Sequence, residues 1–192
     1  MEELLKLDKE LFVFLNSLGS VPYDDFWSII TKQAYWSPLF IGVFYLIQKK
    51  VGWKNFGIII LFLALLITFT DQITNLFKNG FQRLRPCNNP EIKDAIRVVI
   101  HRNSFSFFSG HASNSMGSTM FIFLILRKYY KHTYLLFLFP LIFAYSRIYL
   151  GLHYPGDILT GYFFGMIFGL TFYKLYSLFM EKYINKSTIK HE

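Results

Sequence analysis

Residues 55–77 have the sequence NFGIIILFLALLITFTDQITNLF, an apolar run in which Asp71 is the one charged side chain. A helix needs about 17 to 25 mostly apolar residues to cross a bilayer, and this run has that length. Four more segments of similar length and composition lie at 26–48, 104–126, 133–150 and 156–180. We therefore predict an all-α fold, a polytopic transmembrane helical bundle with about five spanning helices.

The composition also favours lipid as the solvent. Hydrophobic residues make up 53% of the chain, aromatic residues 20% and charged residues only 17%. An average soluble domain has fewer aromatic and more charged residues. The net charge of +8 does not indicate a nucleic-acid partner, because the basic residues fall between apolar stretches and form neither a helix face nor a tail.

The N-terminal segment mixes leucines with charged side chains at helical spacing and is too polar to span a bilayer. This pattern is typical of an amphipathic helix lying at the membrane interface, and Gly19 and Pro22 end it. The 192 residues are enough for one domain and too few for two ordinary ones. We predict a single domain, 1–192, with an interfacial helix at 1–18, a transmembrane bundle at 26–180 and a cytoplasmic tail at 181–192.

Basic residues in the short loops predict the orientation of the bundle. They are Lys49, Lys50 and Lys54, then Arg127, Lys128 and Lys131, and in the tail Lys182, Lys186 and Lys190. All of them fall on one side of the predicted spans, which the positive-inside rule makes the cytoplasmic side. The segments 78–103 and 147–157 then face outward. The first of these outer segments is also basic, and we attribute some of its charges to chemistry.

Three glycines recur every four residues in the last predicted span, at Gly161, Gly165 and Gly169. They lie on one helix face and allow another helix to approach closely. Such motifs serve both dimerisation and internal packing, and we favour packing inside the bundle over homodimerisation.

Ionisable side chains gather where the predicted spans meet the outer segments. The groups are Lys78 with Arg85-Pro86, Ser109-Gly110-His111, and Arg147 with His153 and Asp157. Ionisable groups near bilayer depth are costly and indicate a functional site by default. Three cations, two imidazoles and a carboxylate are suited to binding a phosphate group and cleaving its ester.

Each group also has an ordinary structural explanation. Lys78 and Arg85 could be interfacial cations whose side chains reach the lipid headgroups. His111 could be a membrane histidine satisfied by a neighbouring helix. The functional explanation of this second group is an anion site. Ser109 and the free amides at a helix start can bind an anion, and Gly110 lets the backbone come close to it.

The third group is the most specific of the three. Asp157 follows Pro155-Gly156 at the start of the last span, where a carboxylate makes a good N-cap. One carboxylate oxygen could cap the helix while the other accepts a hydrogen bond from His153. That second bond would fix the tautomer of His153 and leave its other ring nitrogen unprotonated, as a nucleophile or base requires.

Together the groups have the pattern Lys-x(6)-Arg-Pro, Ser-Gly-His and Arg-x(5)-His-x(3)-Asp between Lys78 and Asp157. This pattern resembles the type 2 phosphatidic acid phosphatase superfamily, whose signature also occurs in vanadium haloperoxidases. Every charged and histidine position matches in identity, order and spacing. Phe108 stands where many members have proline, which we interpret as a change of backbone shape without loss of chemistry.

The resemblance implies a role for each residue of the pattern. His153 would be the nucleophile that forms a phosphohistidine, with Asp157 orienting it, and His111 would protonate the leaving oxygen and then activate water. The phosphoryl oxygens would be held by Lys78, Arg85, Arg147, Ser109 and the Gly110 amide. The family fold is a helical bundle, often with six spans.

The resemblance and the residues together predict an integral-membrane phosphatase of the bacterial cytoplasmic membrane, with its active site facing the outside or periplasm. The sequence has no carboxylate cluster suited to magnesium, so we expect no metal and no cofactor. The candidate substrates are undecaprenyl diphosphate, phosphatidylglycerophosphate, phosphatidic acid and a lipid A phosphate.

Two alternatives use the same residues: a lipid phosphotransferase with an acceptor other than water, and a non-catalytic lipid-phosphate binder. A transporter is disfavoured because the sequence has neither paired broken helices nor a two-half repeat. A haloperoxidase is disfavoured by the predicted spans, which a soluble enzyme would not have.

Overall fold

A computed structural model describes residues 2–185, and this part of the chain folds into helices with no β-strand. The α-helices are α1 (Glu2–Ser17), α2 (Asp24–Ile30), α3 (Ser37–Phe81), α4 (Gly110–Leu126), α5 (Leu138–Tyr149) and α6 (Pro155–Phe179). Short 3-10 turns lie at Val21–Tyr23, Gln33–Trp36, Pro86–Asn88, Lys93–Ala95 and Thr133–Phe137, and a π-helical turn follows α6 at Met180–Asn185. The all-α prediction is confirmed.

The long helix α3 consists of two arms that meet at Gly52. This glycine has φ 75° and ψ 167°, a conformation that side chains with a Cβ rarely adopt. The rings of Phe44 and Phe56 are 6.0 Å apart, whereas in an uninterrupted helix their backbones would be about 18 Å apart. The arms therefore fold back on each other and form two antiparallel neighbours in the bundle.

Two helical stretches of the described chain, Gln33–Asn88 and Pro155–Tyr183, are long and apolar enough to cross a membrane. The first of them contains both arms of α3. Thr133–Tyr149 is apolar but shorter. Each of the five predicted segments is helical over most of its length, and the cytoplasmic tail predicted at 181–192 lies largely outside the described residues.

Two predicted segments differ from the helices of the structure: one is interrupted and the other starts later than predicted. The segment 26–48 is interrupted after α2, because Lys32 is extended (φ −93°, ψ 119°) and the next helix begins at Ser37-Pro38, with proline in the first turn. The segment 104–126 becomes helical only at Gly110, because Ser109 is extended and its hydroxyl accepts a hydrogen bond from the Ala112 amide at 3.4 Å. That bond is an N-cap, which fixes where α4 starts.

The glycine stripe of α6 packs against α4. A Cβ added at Gly161 would lie 2.7 Å from the Ser109 carbonyl oxygen, and one at Gly169 would lie 2.6 Å from that of Gly117. At Gly165 the added atom would meet the Ser113 carbonyl. The favoured interpretation, close packing inside the bundle, is confirmed, and it fixes the start of α4 beside the start of α6.

Helix α1 docks on the bundle through one face. Phe12 and Asn16, one turn apart, are completely buried. The Asn16 side-chain amide donates to the carbonyl oxygens of Ile148 and Tyr149 at 3.1 and 3.0 Å, which ties α1 to the end of α5. The exposed apolar residues of this helix are Leu4, Leu5, Leu7, Leu11 and Phe14. These four leucines thus face away from the rest of the protein, as an interfacial helix requires, whereas Leu15 packs partly against the bundle.

The basic loops and the outer segments lie at opposite ends of the bundle. Lys50 and Lys128 line one cavity together with Met180 and Glu181, which brings the arm junction of α3, the end of α4 and the end of α6 together. Lys186 and Lys190 lie outside the described residues. The other end carries the loop 82–109 and the turn between α5 and α6.

Candidate active site

Every residue predicted for the site lies at the end of the bundle opposite the basic loops. Lys78 is in the last turn of α3, Arg85 is in the loop that follows, and Ser109, Gly110 and His111 are at the start of α4. Arg147 is in the last turn of α5, His153 lies in the turn that follows, and Asp157 is in the first turn of α6. The loop packs on that turn through backbone hydrogen bonds from Cys87 to Gly151 at 3.1 Å and from Ile100 to Leu150 at 3.4 Å.

His153 and Asp157 form a buried pair with side chains 2% and 0% exposed. His153 Nδ1 lies 3.3 Å from Asp157 Oδ2, and the same oxygen accepts the Tyr154 amide at 3.0 Å. The carboxylate therefore both caps the helix and contacts the imidazole, but two details of the prediction are wrong. Asp157 is the third residue of a capping box whose N-cap is Tyr154, and one oxygen makes both contacts instead of two oxygens dividing them. Because a carboxylate accepts the bond, Nδ1 carries the proton and Nε2 keeps its lone pair.

Arg85 contacts the other ring nitrogen. Its Nη1 lies 2.9 Å from His153 Nε2 and donates to the Leu152 carbonyl at 2.9 Å. Its Nε and Nη2 donate to the backbone and side-chain oxygens of Ser104 at 2.7 and 3.0 Å. A guanidinium group only donates, so Nε2 must accept, and the imidazole is neutral.

Burial and the positive charges of Arg85, Arg147 and Lys78 hold the pKa of His153 well below its ordinary value. The direction of this shift agrees with the hydrogen bonds on both ring nitrogens. A neutral imidazole with an orienting carboxylate at Nδ1 and an unprotonated Nε2 can act as a nucleophile once Arg85 releases the Nε2 lone pair.

Lys78, Gly110 and His111 line a cavity of about 360 Å³. A Cβ added at Gly110 would lie 3.9 Å from Lys78 Nζ, so the ammonium group lies against the first turn of α4. The His111 ring stacks on Phe143, with centroids 5.0 Å apart and an interplanar angle of 20°. Free amides at a helix start beside an ammonium group form an anion-binding arrangement.

Arg147 completes the ring of cations. It is 6% exposed, and its Nη1 donates to the Thr31 hydroxyl in the link between α2 and α3. Its Nε has no hydrogen-bond partner among the residues that the structure describes. A buried arginine with an unused donor can bind a phosphoryl oxygen without giving up a bond inside the protein.

The sequence analysis missed Arg83 and Asp8. Arg83 Nη1 donates to Asp157 Oδ1 at 2.7 Å, and its Nη2 donates to Asp8 Oδ2 at 2.6 Å. Asp8 Oδ1 in turn accepts the Gly156 amide at 2.7 Å, and the Arg83 guanidinium lies over the Tyr154 ring at 4.0 Å. Asp8 lies one turn before Phe12 on the face of α1 that docks, and the sequence pattern does not indicate which face that is.

Within residues 2–185, no three His, Cys, Asp or Glu side chains are grouped so that they could hold a metal ion. The positive charge of the site comes instead from four basic side chains, Lys78, Arg83, Arg85 and Arg147. This arrangement can bind a phosphate group, present a nucleophile to phosphorus and place a second histidine near the leaving oxygen.

Comparisons with known proteins find relatives of this chain. The family model of the PAP2 superfamily matches residues 55–181. The lipid A 4'-phosphatase of Bacteroides thetaiotaomicron is 36% identical over 178 residues, covering 90% of this chain and 78% of that protein. The lipid A 4'-phosphatase of Porphyromonas gingivalis is 28% identical over 194 residues, covering 100% and 82%.

Among solved structures, the crystal structure of a transmembrane PAP2 type phosphatidylglycerolphosphate phosphatase from Bacillus subtilis superposes with a TM-score of 0.70. The alignment covers 96% of this chain and 90% of that one at 20% sequence identity. At that identity the likeness concerns the fold. The helical bundle of this chain is therefore a known architecture.

Proposed function

This chain belongs to the PAP2 superfamily, and on that premise we propose that it is an integral-membrane phosphatase that hydrolyses a lipid phosphate or diphosphate through a phosphohistidine intermediate. The observation that carries this proposal is the environment of His153. Asp157 on one side and Arg85 on the other leave a neutral ring whose Nε2 lone pair faces the cations of the site.

In the first step, His153 Nε2 attacks phosphorus and the bond from phosphorus to the leaving oxygen breaks. His111 donates a proton to that oxygen, while Lys78, Arg85, Arg147, Ser109 and the Gly110 amide hold the phosphoryl oxygens. Arg85 bonds Nε2 in the free site, so the substrate must draw this donor onto a phosphoryl oxygen before attack. Asp157 keeps Nδ1 protonated and stabilises the positive ring that forms.

In the second step, a water molecule attacks the phosphohistidine and gives its proton to His111. The bond from Nε2 to phosphorus breaks, phosphate leaves, and His153 regains its lone pair. Both steps need only the positive charge and the two imidazoles already present, so we propose that turnover requires no metal.

The lipid is the remaining part of the proposal. Two relatives that each align with most of this chain are named lipid A 4'-phosphatases, which favours a lipid A phosphate among the four candidates. Undecaprenyl diphosphate, phosphatidylglycerophosphate and phosphatidic acid are the comparison substrates.

The test is phosphate release by detergent-purified protein from these four lipids in excess EDTA. We expect turnover of at least one lipid, unchanged by the chelator, because the cations of the chain supply the charge that a metal would otherwise provide. Orthovanadate should inhibit by occupying the transition-state position. Loss of activity in EDTA that magnesium restores would disprove metal independence, and no release from any of the lipids would disprove the phosphatase.

We also propose that Asp8 and Arg83 position Asp157, and through it His153. Asp8→Asn removes the charge that holds Arg83 but keeps an oxygen for the Gly156 amide. We expect kcat to fall about tenfold with little change in KM. Loss of a hydrogen-bond partner that orients a metal ligand has an effect of about this size in metal sites. The matched control is Glu10→Gln, the same charge change at an exposed position of the same helix, where the partner is Lys6. Equal kcat in Asp8→Asn and the control would contradict the positioning role.

We propose that the site faces the outside or periplasm of a bacterial cytoplasmic membrane. The support is that Lys50 and Lys128 lie at the opposite end from His153 and mark the cytoplasmic face by the positive-inside rule.

Cysteine labelling tests this orientation. In a Cys87→Ser background, Asn103→Cys should react with an impermeant thiol reagent in spheroplasts, because Asn103 is exposed in the outer loop. Lys131→Cys, exposed at the other end, should react only after permeabilisation. The reverse labelling pattern would place the site at the cytoplasmic leaflet.

A further inference from the structure

The cavity that holds Lys78, Gly110 and His111 extends beyond the residues of the proposed mechanism. Its volume is about 360 Å³. The polar side chains that complete its lining come from α3, α4 and the link between α2 and α3, and they are Thr31, Gln33, Asp71, Thr74, Asn75 and Asn114. A polar cavity of this size is large enough for part of a substrate.

Asp71 is a carboxylate at bilayer depth. It lies two helical turns, about 10 Å, before Lys78 on α3, away from the outer loop. Its Oδ1 accepts a hydrogen bond from the Asn114 side-chain amide at 2.6 Å, and no basic side chain in the described part of the chain pairs with it. Asp71 is exposed, and a carboxylate without a basic partner within a predicted membrane span is a functional-site indicator.

Two further groups of the cavity lack partners. Thr74 is 2% exposed, and neither its hydroxyl nor Asn114 Oδ1 has a hydrogen-bond partner among residues 2–185. Buried polar groups without partners cost free energy, so such groups usually bind water or a ligand. The Asp71 carboxylate, Asn114 Oδ1 and the Thr74 hydroxyl can each accept a hydrogen bond from a ligand. These three acceptors make this part of the cavity complementary to a ligand that carries hydroxyl or amide donors.

Building on the proposed function, we propose that this cavity binds the leaving group of the substrate, and that this group is the hydroxyl- and amide-bearing sugar of a phosphorylated glycolipid. The cavity includes His111, the proposed acid for the leaving oxygen, so that oxygen lies beside the cavity and the group attached to it has room to enter. Asp71 would repel the second phosphate of a lipid diphosphate, and diacylglycerol offers few donors to the three acceptors.

The experiment measures kcat/KM for lipid A carrying a 4'-phosphate, dioleoyl phosphatidic acid and undecaprenyl diphosphate in mixed detergent micelles. For the wild type we expect kcat/KM for lipid A to exceed that for phosphatidic acid by at least about tenfold. Phosphatidic acid cannot make the hydrogen bonds that the sugar would make with the cavity, and this loss lowers its kcat/KM. Asp71→Asn has the same shape without the charge. It should reduce the preference for lipid A over phosphatidic acid about tenfold, mainly through KM, and increase relative turnover of the diphosphate.

Asn75→Ala is the second variant, because Asn75 is exposed in the cavity and its removal does not threaten the fold. It should also lower the preference for lipid A. Gln72→Ala is the control, since Gln72 is exposed on the same helix and does not line the cavity. A preference unchanged in both Asp71→Asn and Asn75→Ala would overturn the proposal, as would wild-type protein that hydrolyses phosphatidic acid but not lipid A. Failure on these three lipids and on phosphatidylglycerophosphate would instead refute the phosphatase itself.

Discussion

Replacing His153 by alanine is expected to abolish phosphate release from every substrate. The imidazole supplies the atom that attacks phosphorus. Within the described part of the chain, no other nucleophilic side chain contacts both Asp157 and Arg85. The loss should therefore far exceed a hundredfold, which is about the smallest effect expected for an acid–base group. The measurement is kcat for a lipid substrate and for p-nitrophenyl phosphate. Incorporation of radioactive phosphate into denatured protein gives a second readout, and this should disappear as well.

The control for this variant is His132→Ala. His132 lies between α4 and α5 at the other end of the bundle. Among the described residues, the one side-chain hydrogen bond of its ring joins Nδ1 to the Tyr134 hydroxyl at 3.3 Å. It should leave both kcat values unchanged. A His153→Ala protein that purifies as a folded species and still forms a labelled phosphoenzyme would mean that another residue is the nucleophile.

The residues of the candidate site were predictable because the proposed reaction restricts their identity, and the fold restricts their order and spacing. The pattern from Lys78 to Asp157 named eight site residues, and the structure brings all eight to one end of the bundle. The family they indicate is confirmed. Their individual roles remain predictions that the histidine variants test.

Asp8 and Arg83 were not predictable because their importance arises from tertiary contacts. Periodicity indicated that the first helix is amphipathic but not which face docks. The structure uses the charged position Asp8 and the polar position Asn16 as docking points, and it leaves four leucines outward. A hydropathy pattern therefore assigned the helix correctly and missed its connection to the site.

The misplaced start of α4 has a similar cause. Residues 105–108 are mostly aromatic, and an apolar run does not distinguish a helix from a packed loop. Here Phe108 packs between Phe77 of α3 and Phe164 of α6, with centroids 5.2 and 5.1 Å apart. The loop is apolar because it fills the space between two helices. Its last residue, Ser109, then ends the extended stretch by capping α4.

The break after α2 also places two side chains next to residues of the candidate site. Lys32 and Gln33 interrupt the first predicted span, and the structure places a turn there that brings Thr31 to Arg147 and Gln33 to the cavity of His111. Polar residues that weaken a transmembrane prediction can thus indicate where a site is built, since they have a local partner that hydropathy does not consider.

His111→Ala is expected to reduce turnover of phosphatidic acid by more than about a hundredfold, but that of p-nitrophenyl phosphate by much less. An alkoxide leaving group needs a proton as its bond to phosphorus breaks, whereas p-nitrophenolate leaves readily without one. His111 also activates water in the second step, so the aryl substrate should lose some activity. His153→Ala, in contrast, should impair both substrates alike, because attack on phosphorus is common to them.

The ratio of the two kcat values separates the roles of the two histidines. His111→Gln tests whether the effect comes from lost chemistry or lost packing, since glutamine occupies more of the space beside Phe143 but cannot transfer the proton at neutral pH. It should behave like His111→Ala on phosphatidic acid. If both His111 variants lose the alkyl and aryl activities by the same factor, His111 binds the phosphoryl group or supports the fold, and the proton must come from elsewhere.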